Sequence, residues 1–168
     1  GAVVAVALLC PGQGAQRVGM GKDLAERFPA ARDVFEAIDE ALGVPLSRLM
    51  RDGPESELTL THNAQPAILA HSLAVFAVVR AAVTPVVGAG HSLGEYAAYA
   101  AAEALSVADA ATLVRRRGEL MLAAGEERPG TMAVVLGLAA VQEEAACREV
   151  SGSAGGGTVV PANINAPD

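Results

Sequence analysis

Pro85-Val86-Val87-Gly88-Ala89 is a short charge-free run that passes directly into Gly90-His91-Ser92-Leu93-Gly94, and the Ala-rich stretch Ala97 to Ala102 follows. A short apolar run bounded by glycine reads as a buried strand, and the small-residue stretch reads as a helix. Gly-x-Ser-x-Gly between a strand and a helix is the pattern of a nucleophile elbow. Its glycines relieve crowding at a tight turn, so the serine side chain projects from the tip. Ser92 is therefore read as a nucleophile rather than as part of a structural turn. The helix that begins beside it aims free N–H groups at the serine, and the Leu93 amide is the expected donor to a developing oxyanion.

The chain opens in the same way. Ala2 to Leu9 is rich in Val and Leu without alternation, as expected of a strand covered on both faces, and Pro11-Gly12-Gln13-Gly14 breaks it. In a parallel sheet the two glycine turns emerge at one edge, and the Gln13 turn becomes the expected source of a second oxyanion donor. It is not a phosphate loop. Arg17 stands where a dinucleotide fingerprint needs its third glycine. Gly21-Lys22 has Gln16 before it and Asp23 after it, where a Walker motif needs Gly and Ser or Thr.

Between the turns, Leu24, Phe28, Phe35, Ile38 and Leu42 recur at helical spacing, with Pro29 dividing two helices and Gly43 ending the second. Leu46 to Thr61 reads as short helical pieces and loop around Asp52-Gly53-Pro54, and Gln65 to Ala82 as an apolar helix. Ser106 with Asp109 three residues on predicts an N-cap, and a helix from there to about Ala124, stopped by Gly125. Thr131 to Leu138, Ala140 to Val150 and Thr158 to Ile164 then read as strand, helix and strand.

Composition closes off several classes. Lys plus Arg is 12 against 19 Asp plus Glu, a net charge of −7, so nothing draws the chain to nucleic acid or an anionic membrane. Hydrophobic residues make up 52% of the 168 and aromatics only 3%, which excludes a disordered chain and predicts a core of small aliphatic side chains. The charge-free stretch from Leu58 to Val79 carries His62, Asn63, Gln65 and Pro66 in its first half, too polar for a membrane span. The first cation is Arg17, so the opening run lacks the charged start of a signal peptide. Cys10 and Cys147 lie far apart with no C-x-x-C spacing, and neither a disulfide nor a metal site is expected, which fits a reducing cytoplasm.

A helical wheel of residues 106–124 puts Ala110, Leu113, Val114, Leu120 and Met121 on one face with Arg117 in its middle and Arg115 pointing away. A buried guanidinium needs a fixed internal partner or an anionic ligand, and beside a serine nucleophile it would select an acyl group ending in a carboxylate. The histidines are His62, His71 and His91, all before Ser92. A hydrolase triad places its histidine after the serine, so none of the three completes that order. His71 reads as a core histidine, His62 as loop and His91 as packing beside the turn.

Pro11-Gly12-Gln13-Gly14-Ala15-Gln16, Gln65-Pro66-Ala67, Gly90-His91-Ser92-Leu93-Gly94-Glu95-Tyr96, Arg117-Gly118-Glu119-Leu120-Met121 and Gly130-Thr131-Met132 occur in order. Together they resemble the malonyl-CoA:acyl-carrier-protein transacylase family. Pro161-Ala162-Asn163-Ile164-Asn165 extends the similarity to nearly the whole chain. The resemblance implies an α/β fold, with an α/β-hydrolase-like large subdomain whose amino-terminal part is residues 1–127. Residues 128–168 would be the start of a ferredoxin-like small subdomain. It implies that Ser92 carries malonyl from malonyl-CoA to the phosphopantetheine thiol of acyl carrier protein. Gln13 and Leu93 would supply oxyanion amides, Arg117 would grip the malonyl carboxylate, and Gln65 and His91 would line the pocket. No cofactor is expected, since malonyl-CoA is a substrate, and the protein is expected to be a cytoplasmic monomer. Cys10 stands where the family usually has Phe, and Glu103 where it commonly has a small residue.

The family's catalytic histidine follows the first half of the small subdomain, so the sequence reads as cut in mid-domain, with Gly1 in place of Met pointing to a trimmed start. Fatty-acid biosynthesis is the expected setting. The competing expectations are an acyltransferase domain from a polyketide synthase, a catalytically silent carrier-protein-binding fragment, and a serine hydrolase. Arg115 and Arg116 are the candidate basic patch for an acidic carrier protein.

Overall fold

The computed structural model describes residues 5–153, 155 and 157–165, so residues 2–4 of the expected first strand lie outside it. The chain divides into two compact units, one running to Pro129 and the other beginning at Gly130.

In the first unit the elements run β1 (Val6–Cys10), α1 (Lys22–Arg27), α2 (Pro29–Leu42), α3 (Leu46–Asp52), α4 (Glu55–Leu58), α5 (Thr61–Val79), β2 (Pro85–Gly90), α6 (Gly94–Ala101) and α7 (Val107–Glu127). Local chemistry sets several of these boundaries. Pro29 opens α2, where its missing N–H has no partner to lose, and Gly43 closes it at φ 65°. The Ser106 hydroxyl caps α7 by accepting from the Asp109 amide at 3.0 Å. Gly125 lies inside α7 rather than ending it.

β1 and β2 pair in parallel, with Leu8 opposite Gly88 and Cys10 opposite Gly90, so both glycine turns leave the same end of the sheet. The expected burial of β1 on both faces is not what forms. α6 packs against both strands, but Leu9, Val86 and Val87 are 75%, 69% and 58% exposed. Two strands make a narrow sheet, and one helix covers only part of it.

The core lies instead among the helices. α5 is its axis: every residue from Asn63 to Ala70 is buried, and Phe35 and Ile38 of α2, Leu46 and Met50 of α3, Ala97 of α6 and Val114 of α7 complete the cluster. α5 begins one turn before the expected Gln65. Its internal Pro66 has no N–H for the His62 carbonyl four residues back, and Arg115 Nη1 donates to that carbonyl at 3.0 Å instead. A cross-helix guanidinium thus replaces a missing rung.

The stripe that α7 buries is Ala110, Ala111, Val114 and Gly118, whereas Leu113, Leu120 and Met121 of the expected apolar face are 46%, 54% and 46% exposed. Close approach of α7 to α5 selects for small residues. A Cβ on Gly118 would lie 2.6 Å from His62 Cα and 2.8 Å from the Thr61 carbonyl oxygen, and that backbone has little freedom to yield. Gly118→Ala is accordingly expected to lower unfolding stability by about 1–3 kcal/mol despite alanine's better helix propensity. Gly125→Ala, in the same helix with nothing within 4 Å of the new Cβ, should raise it by about 0.5–1 kcal/mol. Urea unfolding of the two variants checks this, and equal shifts would contradict the close helix approach.

In the second unit, α8 (Ala140–Gly152) forms as expected. Residues 131–138 and 158–164, expected as strands, enter no sheet among the described residues, where the only sheet is β1–β2. A strand persists when a neighbour takes its backbone groups. The Val159 amide donates to Ser151 Oγ at 2.8 Å, and the Ser151 hydroxyl donates to the Val159 carbonyl at 3.0 Å, so one side chain occupies both. The expected ferredoxin-like β-α-β unit is therefore represented here by one helix and two segments without regular secondary structure.

Candidate active site

Ser92 sits at φ 55°, a left-handed conformation that costs a residue with a Cβ about 1–2 kcal/mol. The surrounding glycines enforce it. A Cβ on Gly90 would overlap the backbone of Gly94, and a Cβ on Gly94 would overlap the Cys10 carbonyl oxygen. The His91 amide donates to the Cys10 carbonyl at 3.0 Å and the Gly94 amide to the His91 carbonyl at 2.9 Å, fastening the turn to the end of β1. Leu93 is fully buried and anchors the turn, while Ser92 stays exposed.

The Gln13 turn lies alongside. Gly12 makes room for it, because a Cβ there would strike the His91 ring. The Gly14 amide donates to Gln16 Oε1 at 2.8 Å, whereas no hydrogen bond among the described residues takes up the amide of Gln13 or Leu93. The two turns are thus brought together with His91 between them.

Arg117 reaches the serine from α7. Its Nη1 donates to Gln65 Oε1 at 2.6 Å and its Nη2 to Ser92 Oγ at 2.8 Å. It is half-buried and pairs with no carboxylate among the described residues. Gln65 is fully buried, a costly place for an amide unless each end is satisfied. Its Nε2 donates to Thr61 Oγ1 at 3.1 Å and toward Met121 Sδ at 3.3 Å. The Thr61 hydroxyl in turn donates to Gln13 Oε1 at 3.0 Å. Ser92, Arg117, Gln65, Thr61 and Gln13 form one connected set.

Arg115 does not point away as the wheel implied. Besides capping the His62 carbonyl, it donates to Asn63 Oδ1 at 2.6 Å and pairs with Glu119 at 3.4 Å. Its fork is spent inside the molecule, which removes it from the expected carrier-protein patch. Arg116 remains exposed, 3.3 Å from Glu119. The sequence motifs do not mark Thr61 or Asn63 as site residues, nor the internal role of Arg115. The available signal is the four-residue spacing of Thr61 and Gln65, which puts both on one face of a helix that begins at Thr61 rather than Gln65.

Other reactive groups contribute little to a nucleophile. Burial pushes the Cys10 thiol above its ordinary pKa, so it stays protonated next to the turn. Burial holds half-buried His71 below the usual histidine value, the nearby charge of Asp23 opposing only in part, and it is neutral at pH 7. Among the described residues no cluster of His, Cys, Asp or Glu could hold a metal ion, and no helix is long and apolar enough to cross a membrane.

The acyl transferase domain family matches residues 7–166. The malonyl CoA-acyl carrier protein transacylase of Bacillus subtilis is 47% identical over 163 residues, which are 96% of this chain and 51% of the relative. The enzyme of the same name from Escherichia coli K12 is 40% identical, across 96% of this chain and 52% of its own length. The chain spans about half the length of the curated relatives it matches. Among solved structures, the acyl-carrier-protein-S-malonyltransferase of Bartonella henselae superposes with a TM-score of 0.79 at 42% identity, covering 88% of this chain and 49% of that one. A malonyl-transacylase in complex with a type II polyketide synthase acyl carrier protein gives 0.80 at 38% identity, covering 89% and 49%.

Proposed function

The chain belongs to the acyl transferase domain family, and from that premise we propose that its protein moves malonyl from malonyl-CoA to the phosphopantetheine thiol of acyl carrier protein. Ser92 Oγ attacks the thioester carbonyl, the C–S bond breaks, and coenzyme A leaves as its thiol with a malonyl ester left on Ser92. The carrier thiol then attacks that ester and returns the serine hydroxyl. In each half the carbonyl oxygen becomes an oxyanion, answered by the amides of Leu93 and Gln13.

The observation that carries this reading is Arg117, a guanidinium 2.8 Å from the serine hydroxyl with no carboxylate partner among the described residues. A cation held there is matched by an acyl group whose far end is anionic, and malonyl is such a group. The same feature disfavours an ordinary esterase, whose neutral acyl groups leave the charge unanswered. Arg117 takes no proton from Ser92, being a permanent cation. The base is the histidine that the resemblance assigns to the part of the family following the first half of the small subdomain. His91 is read as lining the acyl pocket, and Gln65 as acting there through the Arg117 guanidinium that it holds. The free thiols of Cys10 and Cys147 accord with a reducing cytoplasm, the net negative charge with the absence of a nucleic-acid or membrane partner, and the protein is read as a monomer serving fatty-acid biosynthesis.

Intact-mass measurement of the full natural chain tests the proposal. Malonyl-CoA is expected to add one malonyl group, and holo acyl carrier protein to remove it. Acetyl-CoA should label far more slowly. No adduct, or equal labelling by both donors, would overturn the reading.

A further inference from the structure

We infer that Thr61 is a positioning residue that couples carboxylate recognition at Arg117 to the placement of the Gln13 amide, an inference that rests on the function proposed above. The direction of the hydrogen bonds follows from one fact of side-chain chemistry. A guanidinium only donates. Arg117 therefore holds the Oε1 end of Gln65, which turns Nε2 toward Thr61. With a lone pair of Thr61 Oγ1 engaged by Gln65, its single proton goes to Gln13 Oε1 at 3.0 Å. The arginine fixes the polarity of the bonds through Gln65 to Thr61, and the Thr61 proton then serves Gln13 Oε1.

Gln13 needs such a tether. It lies between Gly12 and Gly14, the latter at φ 106°, in a turn whose backbone has unusual rotational freedom. Holding the Gln13 side chain restricts the peptide that presents its amide beside Ser92. Thr61 suits the task because it opens α5, which carries the core, and stands one turn below Gln65 on the same face. A carboxylate that draws Arg117 acts on the Gln65 amide, and Thr61 relays the change to the oxyanion turn.

The test is a double-mutant cycle on the full natural chain, using Thr61→Val, Gln13→Met and the pair. Valine keeps the shape of threonine without the hydroxyl. Methionine keeps the Gln13 backbone amide while removing Oε1, and on an exposed turn it leaves folding intact. Each single variant is expected to lower kcat for malonyl transfer about tenfold, a part of the roughly 10²- to 10³-fold that outright loss of an oxyanion donor costs. The pair should be no worse than either single variant, and Thr61→Ser should restore kcat. Losses that multiply in the pair, or kcat within twofold of the parent in Thr61→Val, overturn the inference while the parent's malonyl adduct leaves the functional reading standing. A parent that forms no adduct overturns both. Should Thr61→Val fail to fold, unchanged kcat in Gln13→Met alone overturns the coupling.

Discussion

Ser92→Ala and Ser92→Gly are both expected to lose acyl transfer by about 10⁴-fold or more, while the glycine variant unfolds at a free energy about 0.5–1 kcal/mol above the alanine variant. Neither side chain can form the ester, so the malonyl adduct disappears from the intact mass of each. Their stabilities differ because Ser92 sits at φ 55°. A residue with a Cβ pays about 1–2 kcal/mol for that conformation, whereas glycine pays only its larger unfolded-state entropy, about 0.5–1 kcal/mol. Both variants lose the bond from Arg117 to Ser92 Oγ, so the comparison isolates the backbone. Strain of this kind persists where surrounding structure imposes it, and here the close backbone packing that Gly90 and Gly94 permit holds the turn in place. An adduct surviving in either variant would remove Ser92 as the nucleophile. Equal stabilities would remove the strain.

Such backbone constraints are what made the elbow legible. Gly90-x-Ser92-x-Gly94 is written in the sequence because each glycine answers a contact no other residue permits, and the same holds for Gly12 against His91. The Ser106 cap and Pro29 were readable for a similar reason, since each satisfies or spares a backbone group locally. What the sequence concealed depended on contacts between elements. A wheel weighted by side-chain hydrophobicity puts Arg117 in the middle of a buried face, whereas its side chain is half-buried and the packed face of α7 lies elsewhere. The stripe is chosen for smallness, through Ala110, Ala111 and Gly118, so larger apolar residues fall outside it. The role of Arg115 depends on a carbonyl that Pro66 leaves open one helix away, which no wheel of its own helix displays. The segments around Thr131–Leu138 and Thr158–Ile164 have strand composition, but composition supplies no ladder partner.

Arg117→Ala is expected to cost malonyl transfer about 2–5 kcal/mol, roughly 30- to 5,000-fold in kcat/KM, while leaving acetyl transfer unchanged or raised. In the parent, a malonyl carboxylate takes up the guanidinium fork with short charge-assisted bonds, and an acetyl group leaves the same cation unanswered. Removing the cation therefore penalises the first substrate and relieves the second, and the malonyl-to-acetyl ratio collapses from both sides. Arg117→Lys separates charge from geometry: an ammonium keeps the attraction but cannot hold Gln65 Oε1 and a carboxylate together in one plane, so its ratio should fall between the two. The alanine variant also strands the buried Gln65 carbonyl oxygen, and a stability loss of about 1–3 kcal/mol should accompany the change in specificity. The decisive quantity is the ratio of kcat/KM for malonyl-CoA to that for acetyl-CoA, because a general loss of folded protein lowers both equally and cancels. A ratio unmoved in Arg117→Ala would mean that the acyl carboxylate is held elsewhere and that the guanidinium at Ser92 is a purely structural bridge to Gln65.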